Sequence, residues 1–184
     1  PSEINDMGIA RTFQNIRLFS NLSVLDNVRI AFRGARPYSM TEALLRAGRY
    51  SAQEDQIYRK SMEFLRLFGL EDRASEIASK LPYGAQRRLE MARALATKPR
   101  LLLLDEPAAG MNPQETQELL ELIRWIHERF DLTVLLIEHD MNLVMKLCQR
   151  IIVLDYGVTI ADGSPAEIVK NRRVIEAYLG EEAV

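Results

Sequence analysis

Four consecutive leucines run into two carboxylates and a proline in the stretch LLLLDEP, Leu101 to Pro107. Nothing else in the chain narrows its fold as much. A short, unbroken apolar run marks a strand buried on both faces, as in a parallel sheet. A second run, LTVLLIEHD, repeats the pattern from Leu132 to Asp140. Between them lies MNPQETQELLELIRWIHERF, which reads as a helix. Asn112 caps it, Pro113 suits its first position, and Glu115 completes a capping-box pattern three residues on. Leu119, Leu122, Ile123 and Ile126 then recur at helical spacing. Strand, helix, strand in this order implies a right-handed crossover and a parallel pair.

The remainder extends this α/β reading. RIIVLDYGVTIADG reads as a hairpin turning at Tyr156-Gly157, and SPAEIV repeats the cap with Ser164, Pro165 and Glu167. The first half is more helical. SAQEDQIYRKSMEFLRLFGL carries a helical pattern that stops near Gly69, and GAQRRLEMARALATKP is a second helix ended by Pro99. The opening PSEINDMGIARTF has no initiator Met and no clear element.

Composition excludes several classes. With 184 residues, 47% hydrophobic and 27% charged, the chain can bury a real core. A net charge of -2 argues against a broad basic surface, so no nucleic-acid partner is expected. The single cysteine, Cys148, forms no internal disulfide and reads as a small buried hydrophobe. Two histidines, His127 and His139, are too few to favour a zinc site of the His/Cys type. His127 lies among charged residues of the long helix and reads as solvated. No apolar run approaches the roughly 20 residues that span a bilayer. The chain is read as cytosolic, or held on a membrane only through a partner.

Open parallel sheets bind ligands at the carboxyl ends of their strands. Asp105 and Glu106 end one apolar run; Glu138 and His139 end the other. Such an edge suits a Mg²⁺-nucleotide site. Asp105 could hold the hard cation through water, Glu106 could polarise an attacking water, and His139 could touch a phosphate. The alternative is a strand ending in an acidic turn with a structural histidine, and the residues alone leave both open.

Four stretches together resemble the ATPase subunits of ABC transporters. LPYGAQRRLEMARAL, RLLLLDEPAAGMNP and TVLLIEHDM stand in the order of the family's signature, Walker B strand with D-loop, and switch histidine. RTFQNIRLF resembles the Q-loop, with Gln14 in the glutamine position. Tyr83, DEPAAG with Asn112-Pro113, LIEHDM and the closing VIEAYLG resemble the branched-chain amino-acid importer subgroup. The resemblance implies an α/β fold: a partial P-loop NTPase domain with a mainly parallel sheet and a helical subdomain. Residues 1–184 would be the C-terminal part of one nucleotide-binding domain. Within it, about 21–98 would form the helical subdomain, about 99–163 the α/β core and 164–184 the C-terminal helices.

The same resemblance implies ATP and Mg²⁺ as cofactors. Asp105 and Gln14 would serve the metal, Glu106 would be the general base, and His139 would contact the γ-phosphate. Gln14 would also report nucleotide state. Tyr83, Gly84, Ala85, Gln86 and Asn112 would face a nucleotide across a head-to-tail dimer with a second ATPase subunit. Arg87 and Arg88 are expected to be solvated or salt-bridged. Transmembrane permease subunits would hold the protein at the inner face of the cell membrane. The region from Asn15 to about Tyr50 would dock on them, offering Leu18, Phe19, Leu22 and Val24. The signature departs from the family's pattern: Pro82 replaces its serine and Ala85 its glutamine, while Asn112 stands where many relatives carry Asp. None of the nine glycines is followed by Lys, so the family's phosphate loop, G-x-x-x-x-G-K-[ST], is not in these residues. The expectation is the latter part of an importer motor, inactive alone. Two other readings are a soluble, non-transport ABC ATPase and a non-catalytic remnant acting as an interaction module.

Overall fold

The two apolar runs lie side by side as parallel strands in a computed structural model of the chain, which describes residues 2–32 and 49–179. Residues 33–48 and 180–184 are outside the described part. Some of the expected helical subdomain, docking region and C-terminal helices therefore falls there. The chain divides into two compact units, Pro1–Ile137 and Glu138–Val184, a boundary that the motifs do not announce.

In the first unit the opening stretch does form elements: α1 (Ser2–Asp6) and β1 (Ile9–Arg11). Gly8 makes the turn between them at φ +83, a conformation that costs glycine nothing sterically. Its carbonyl accepts from the N–H groups of Arg100 (2.7 Å) and Leu101 (3.1 Å), which aligns β1 with the start of the leucine run. α2 (Val24–Ala31) follows, capped by the Ser23 hydroxyl accepting from the Asp26 N–H. α3 (Arg49–Leu67) ends before Gly69, at φ +63, as its sequence predicts. α4 (Tyr83–Ala96) then leads to β2 (Leu101–Asp105). α5 (Pro113–Phe130) has the predicted capping box at Asn112 and Glu115, and β3 (Thr133–Ile137) closes the unit.

The sheet order is β1-β2-β3, all parallel, with β2 central. Its register runs from Leu101 beside Thr133 to Asp105 beside Ile137. Side chains along β2 alternate between faces. Leu102 and Leu104 are fully buried, whereas Leu101 and Leu103 are half-buried. On β3, Leu135 and Ile137 are 52% and 54% exposed. The expectation of strands buried on both faces thus holds for one face only among the described residues. On α5 the buried residues are Leu119, Leu120, Ile123 and Ile126; Leu120 takes the place expected of Leu122, which is half-buried. A chain of edge-to-face aromatic contacts, Phe68 to Trp125 and Trp125 to Phe130, fastens the end of α3 to α5.

The second unit contains α6 (Met141–Leu147), capped by Asp140, and the predicted hairpin of β4 (Ile151–Asp155) and β5 (Val158–Gly163). Tyr156 and Gly157 both have positive φ, as a two-residue hairpin turn requires. α7 (Pro165–Ile168), α8 (Arg172–Val174) and a π-helical turn (Ile175–Leu179) follow. Val144, Ile151, Val153, Ile168 and Val174 form this unit's core, with Cys148 packed against it. Burial raises the Cys148 thiol pKa, in keeping with a small hydrophobe rather than a nucleophile.

Candidate functional site

β1 and β2 run parallel, so both end on one edge, and the first unit's candidate residues meet there. Beyond Arg11 the chain stays beside β2 for one more bond, from the Thr12 N–H to the Leu103 carbonyl at 2.9 Å. Two residues later the Gln14 amide donates to the Glu106 carboxylate, Nε2 to Oε2, at 2.7 Å. Glu106 itself sits at φ +42, a left-handed conformation that costs a residue with a side chain about 1–2 kcal/mol. Its own N–H donates to the Ile137 carbonyl at 2.9 Å, tying the end of β2 to the end of β3. Strain of this kind gathers at functional sites because the surrounding bonds enforce it.

Asp105 takes a different partner. Its Oδ2 accepts from Arg11 Nη2 at 2.8 Å, a residue that motif reading passed over. The Arg11 side chain is 52% exposed, so this pair is worth at most about 1 kcal/mol and yields readily to a competing cation. The donor set at the edge is two carboxylates and one amide. Oxygen donors of this kind fit a hard cation that keeps several waters. Among the described residues no group of three or more His, Cys, Asp or Glu side chains converges to hold a metal unaided. Asp105 and the Gln14 amide oxygen are the donors that would hold such a cation.

The signature residues cluster at the N-terminus of α4. Pro82 occupies the cap position and offers no side-chain cap bond. The first-turn N–H groups of Tyr83, Gly84 and Ala85 carry the positive end of a 14-residue helix. The side chains are otherwise engaged. Ala85 is buried, the Gln86 amide donates to the Leu81 carbonyl at 2.8 Å, and the Tyr83 hydroxyl donates to the Ala109 carbonyl at 3.1 Å. Asn112 caps α5: its Oδ1 accepts from the Glu115 N–H, and its own N–H donates to the Glu115 carboxylate, both at 3.0 Å. Of the two histidines, His127 is exposed, as expected, and its Nδ1 also meets the Leu132 carbonyl at 2.7 Å. His139 follows Glu138 at the start of the second unit, and its N–H donates to the Glu138 carboxylate at 3.3 Å.

Arg87 takes the salt-bridged of its two expected forms, and it does so in the core. It is only 2% exposed and pairs with Glu90 at 2.9 Å. Its Nη1 donates to the Phe13 carbonyl at 2.8 Å and its Nη2 to the Gln14 carbonyl at 2.5 Å. The available signal was a charged i, i+3 pair set among Ala85, Leu89, Met91 and Ala92 on a helix face that is otherwise core. Arg93 donates to the Arg17 carbonyl and stacks over Phe19, and burial lowers its guanidinium pKa while Glu90 opposes this.

Comparison with known proteins gives the family. The ABC transporter family model matches residues 2–109, and that of the branched-chain amino acid ATP-binding cassette transporter matches residues 158–184. The high-affinity branched-chain amino acid transport ATP-binding protein LivG of Salmonella typhimurium is 44% identical over 179 residues, covering 97% of this chain and 70% of the relative. Its counterpart BraF of Pseudomonas aeruginosa is 42% identical over 174 residues, covering 95% of this chain and 68% of the relative. A crystal structure of the ADP conformation of an ATP-binding cassette of an ABC transporter superposes with a TM-score of 0.77 at 26% identity, covering 98% of this chain and 72% of that one. The chain belongs to the ATP-binding family of ABC transporters. Within that family it is similar to the branched-chain amino acid transport ATP-binding proteins LivG and BraF.

Proposed function

We propose that the chain is the Walker B and signature part of an ABC importer motor, and that the importer carries branched-chain amino acids. The observation that carries the ATPase reading is the Gln14 amide on the Glu106 carboxylate at 2.7 Å, next to Asp105. Asp105 and Gln14 hold Mg²⁺, which when bound neutralises phosphate charge. Glu106 accepts the proton of the attacking water at its carboxylate, and Gln14 orients that carboxylate. His139 contacts the γ-phosphate. The first turn of α4, Tyr83 to Ala85, with Gln86 and Asn112 nearby in the motif, faces a nucleotide held by a second ATPase subunit. The substrate assignment rests on the names of the relatives.

Permease subunits are the proposed membrane partners, and they place the motor at the inner face of the membrane. Among the described residues no helix is long and apolar enough to cross a membrane. Of the residues expected to dock, Val24 belongs to the core, Leu18 and Leu22 are half-buried, and Phe19 is 49% exposed. Among the described residues of this region, Phe19 and Ile30, the latter at 50% exposure, are the exposed large apolar side chains.

The test uses an ATPase assembled with a phosphate loop. Glu106→Gln is expected to lower hydrolysis by about 10²–10⁴-fold while ATP still binds. Asp105→Asn is expected to weaken Mg²⁺-dependent binding instead. One phenotype for both substitutions would overturn the division of roles. The polypeptide of these 184 residues alone is expected to release phosphate no faster than buffer.

A further inference from the structure

The backbone of residues 13–19 lies in no helix or strand, yet its polar groups are met in turn by side chains. Arg87 takes the carbonyls of Phe13 and Gln14, Glu90 Oε1 takes the Arg17 N–H at 3.1 Å, and Arg93 takes the Arg17 carbonyl. Asn27 takes both the N–H and the carbonyl of Phe19. Arg87 and Glu90 thus grip the chain on both sides of the Gln14 side chain.

The Arg87 guanidinium does more than grip. Its Nη2 also reaches the Tyr83 hydroxyl at 3.3 Å, and that hydroxyl donates to the Ala109 carbonyl. The Ala109 N–H in turn donates to the Glu106 carbonyl at 3.1 Å. The contacts close a ring: Glu106 to Gln14 through side chains, Gln14 backbone to Arg87, Arg87 to Tyr83, Tyr83 to Ala109, and Ala109 back to Glu106. Only a planar fork of donors can serve two successive carbonyls, a carboxylate and a hydroxyl from one buried position.

We propose that Arg87 is the positioning residue for Gln14, and that the Tyr83–Arg87–Glu90 network couples the first turn of α4 to the Gln14–Glu106 contact. A displacement at that first turn then moves the Gln14 backbone and with it the hydrogen bond on Glu106. The catalytic consequence rests on the ATPase reading above; the positioning itself does not.

Amide hydrogen exchange on the chain decides the positioning. Arg87→Lys keeps the charge but cannot span the two carbonyls, and Tyr83→Phe removes the hydroxyl that joins Arg87 to the Ala109 carbonyl while leaving both Arg87–carbonyl bonds in place. Arg87→Lys is expected to raise exchange at residues 13–19 by about tenfold or more, with the interiors of α4 and β2 unchanged. Uniform loss of protection through α4 and β2, or no change at 13–19, would overturn the proposal. In an assembled ATPase, Arg87→Lys is expected to lower kcat with the KM for ATP unchanged, and to add nothing in a Gln14→Ala background. Additive losses, or an effect on KM alone, would overturn the coupling. Absence of hydrolysis by the unsubstituted assembly would instead overturn the ATPase reading, and the exchange result would still decide the positioning.

Discussion

Single residues in this chain do their work through a few close contacts. Glu106 is held in a left-handed conformation by the bond from its N–H to Ile137 and by the turn through Ala109. In that conformation its carboxylate accepts from the Gln14 amide. Glu167 shows the same economy in the second unit. Its carboxylate accepts from the Ser164 N–H and from the Ser164 hydroxyl, both at 2.8 Å, and Gly163 leaves room for it where a Cβ would lie 2.8 Å from Oε2. The backbone bond first, and the hydroxyl second, hold the Glu167 carboxyl below its ordinary pKa. A lowered carboxyl pKa stabilises the fold above the ordinary carboxylate range and loses that contribution as pH falls through the lowered value. The start of α7 is therefore expected to fray in acid. An NMR titration following the Ser164 amide should show the bond break with the Glu167 carboxyl, and a Glu167→Gln chain should lack that transition.

Among the elements, α5 is the most completely specified from its ends. Asn112 and Glu115 satisfy each other's backbone N–H groups, Pro113 fills the first turn, and Asp131 leaves the helix at φ +47. Asn112→Ala is expected to cost about 0.5–2 kcal/mol, read from chemical denaturation. Asn112→Asp should keep most of that stability, because the side-chain oxygen still accepts from the Glu115 N–H. α4 is the contrary case. It starts at Pro82 with no side-chain cap bond, so no side chain satisfies its first-turn N–H groups from the cap position.

At the level of the whole molecule, the three-stranded sheet covers one face with helices and leaves Leu135 and Ile137 more than half exposed on the other. These two side chains lie on one face of β3, two residues apart. Exposed apolar side chains side by side on a strand favour association. The chain is expected to elute in size-exclusion chromatography at a volume that shifts with concentration. Leu135→Lys with Ile137→Thr should reduce the shift without lowering the melting temperature. A concentration-independent monomer from the unsubstituted chain would show that this face is not sticky in solution.

Local patterns determined a good deal of this protein. The unbroken leucine run called for a parallel strand, the capping boxes placed α5 and α7, the Tyr156-Gly157 pair placed the hairpin, and the ordered motifs named the family. Each of these rests on interactions within a few residues or on a spacing along the chain. Tertiary structure decided the rest. Three residues of β1 are too few to show a periodicity, and they became a strand because β2 offered a parallel edge. Arg11 met Asp105 across 94 residues and Arg87 met the Phe13 carbonyl across 74, so no local window could pair them. A buried arginine costs too much to tolerate without such partners, and only the folded chain brings two carbonyls, a hydroxyl and a carboxylate to one point. The motifs named Gln14 and Glu106 separately, and it took the parallel alignment of β1 with β2 to put one on the other.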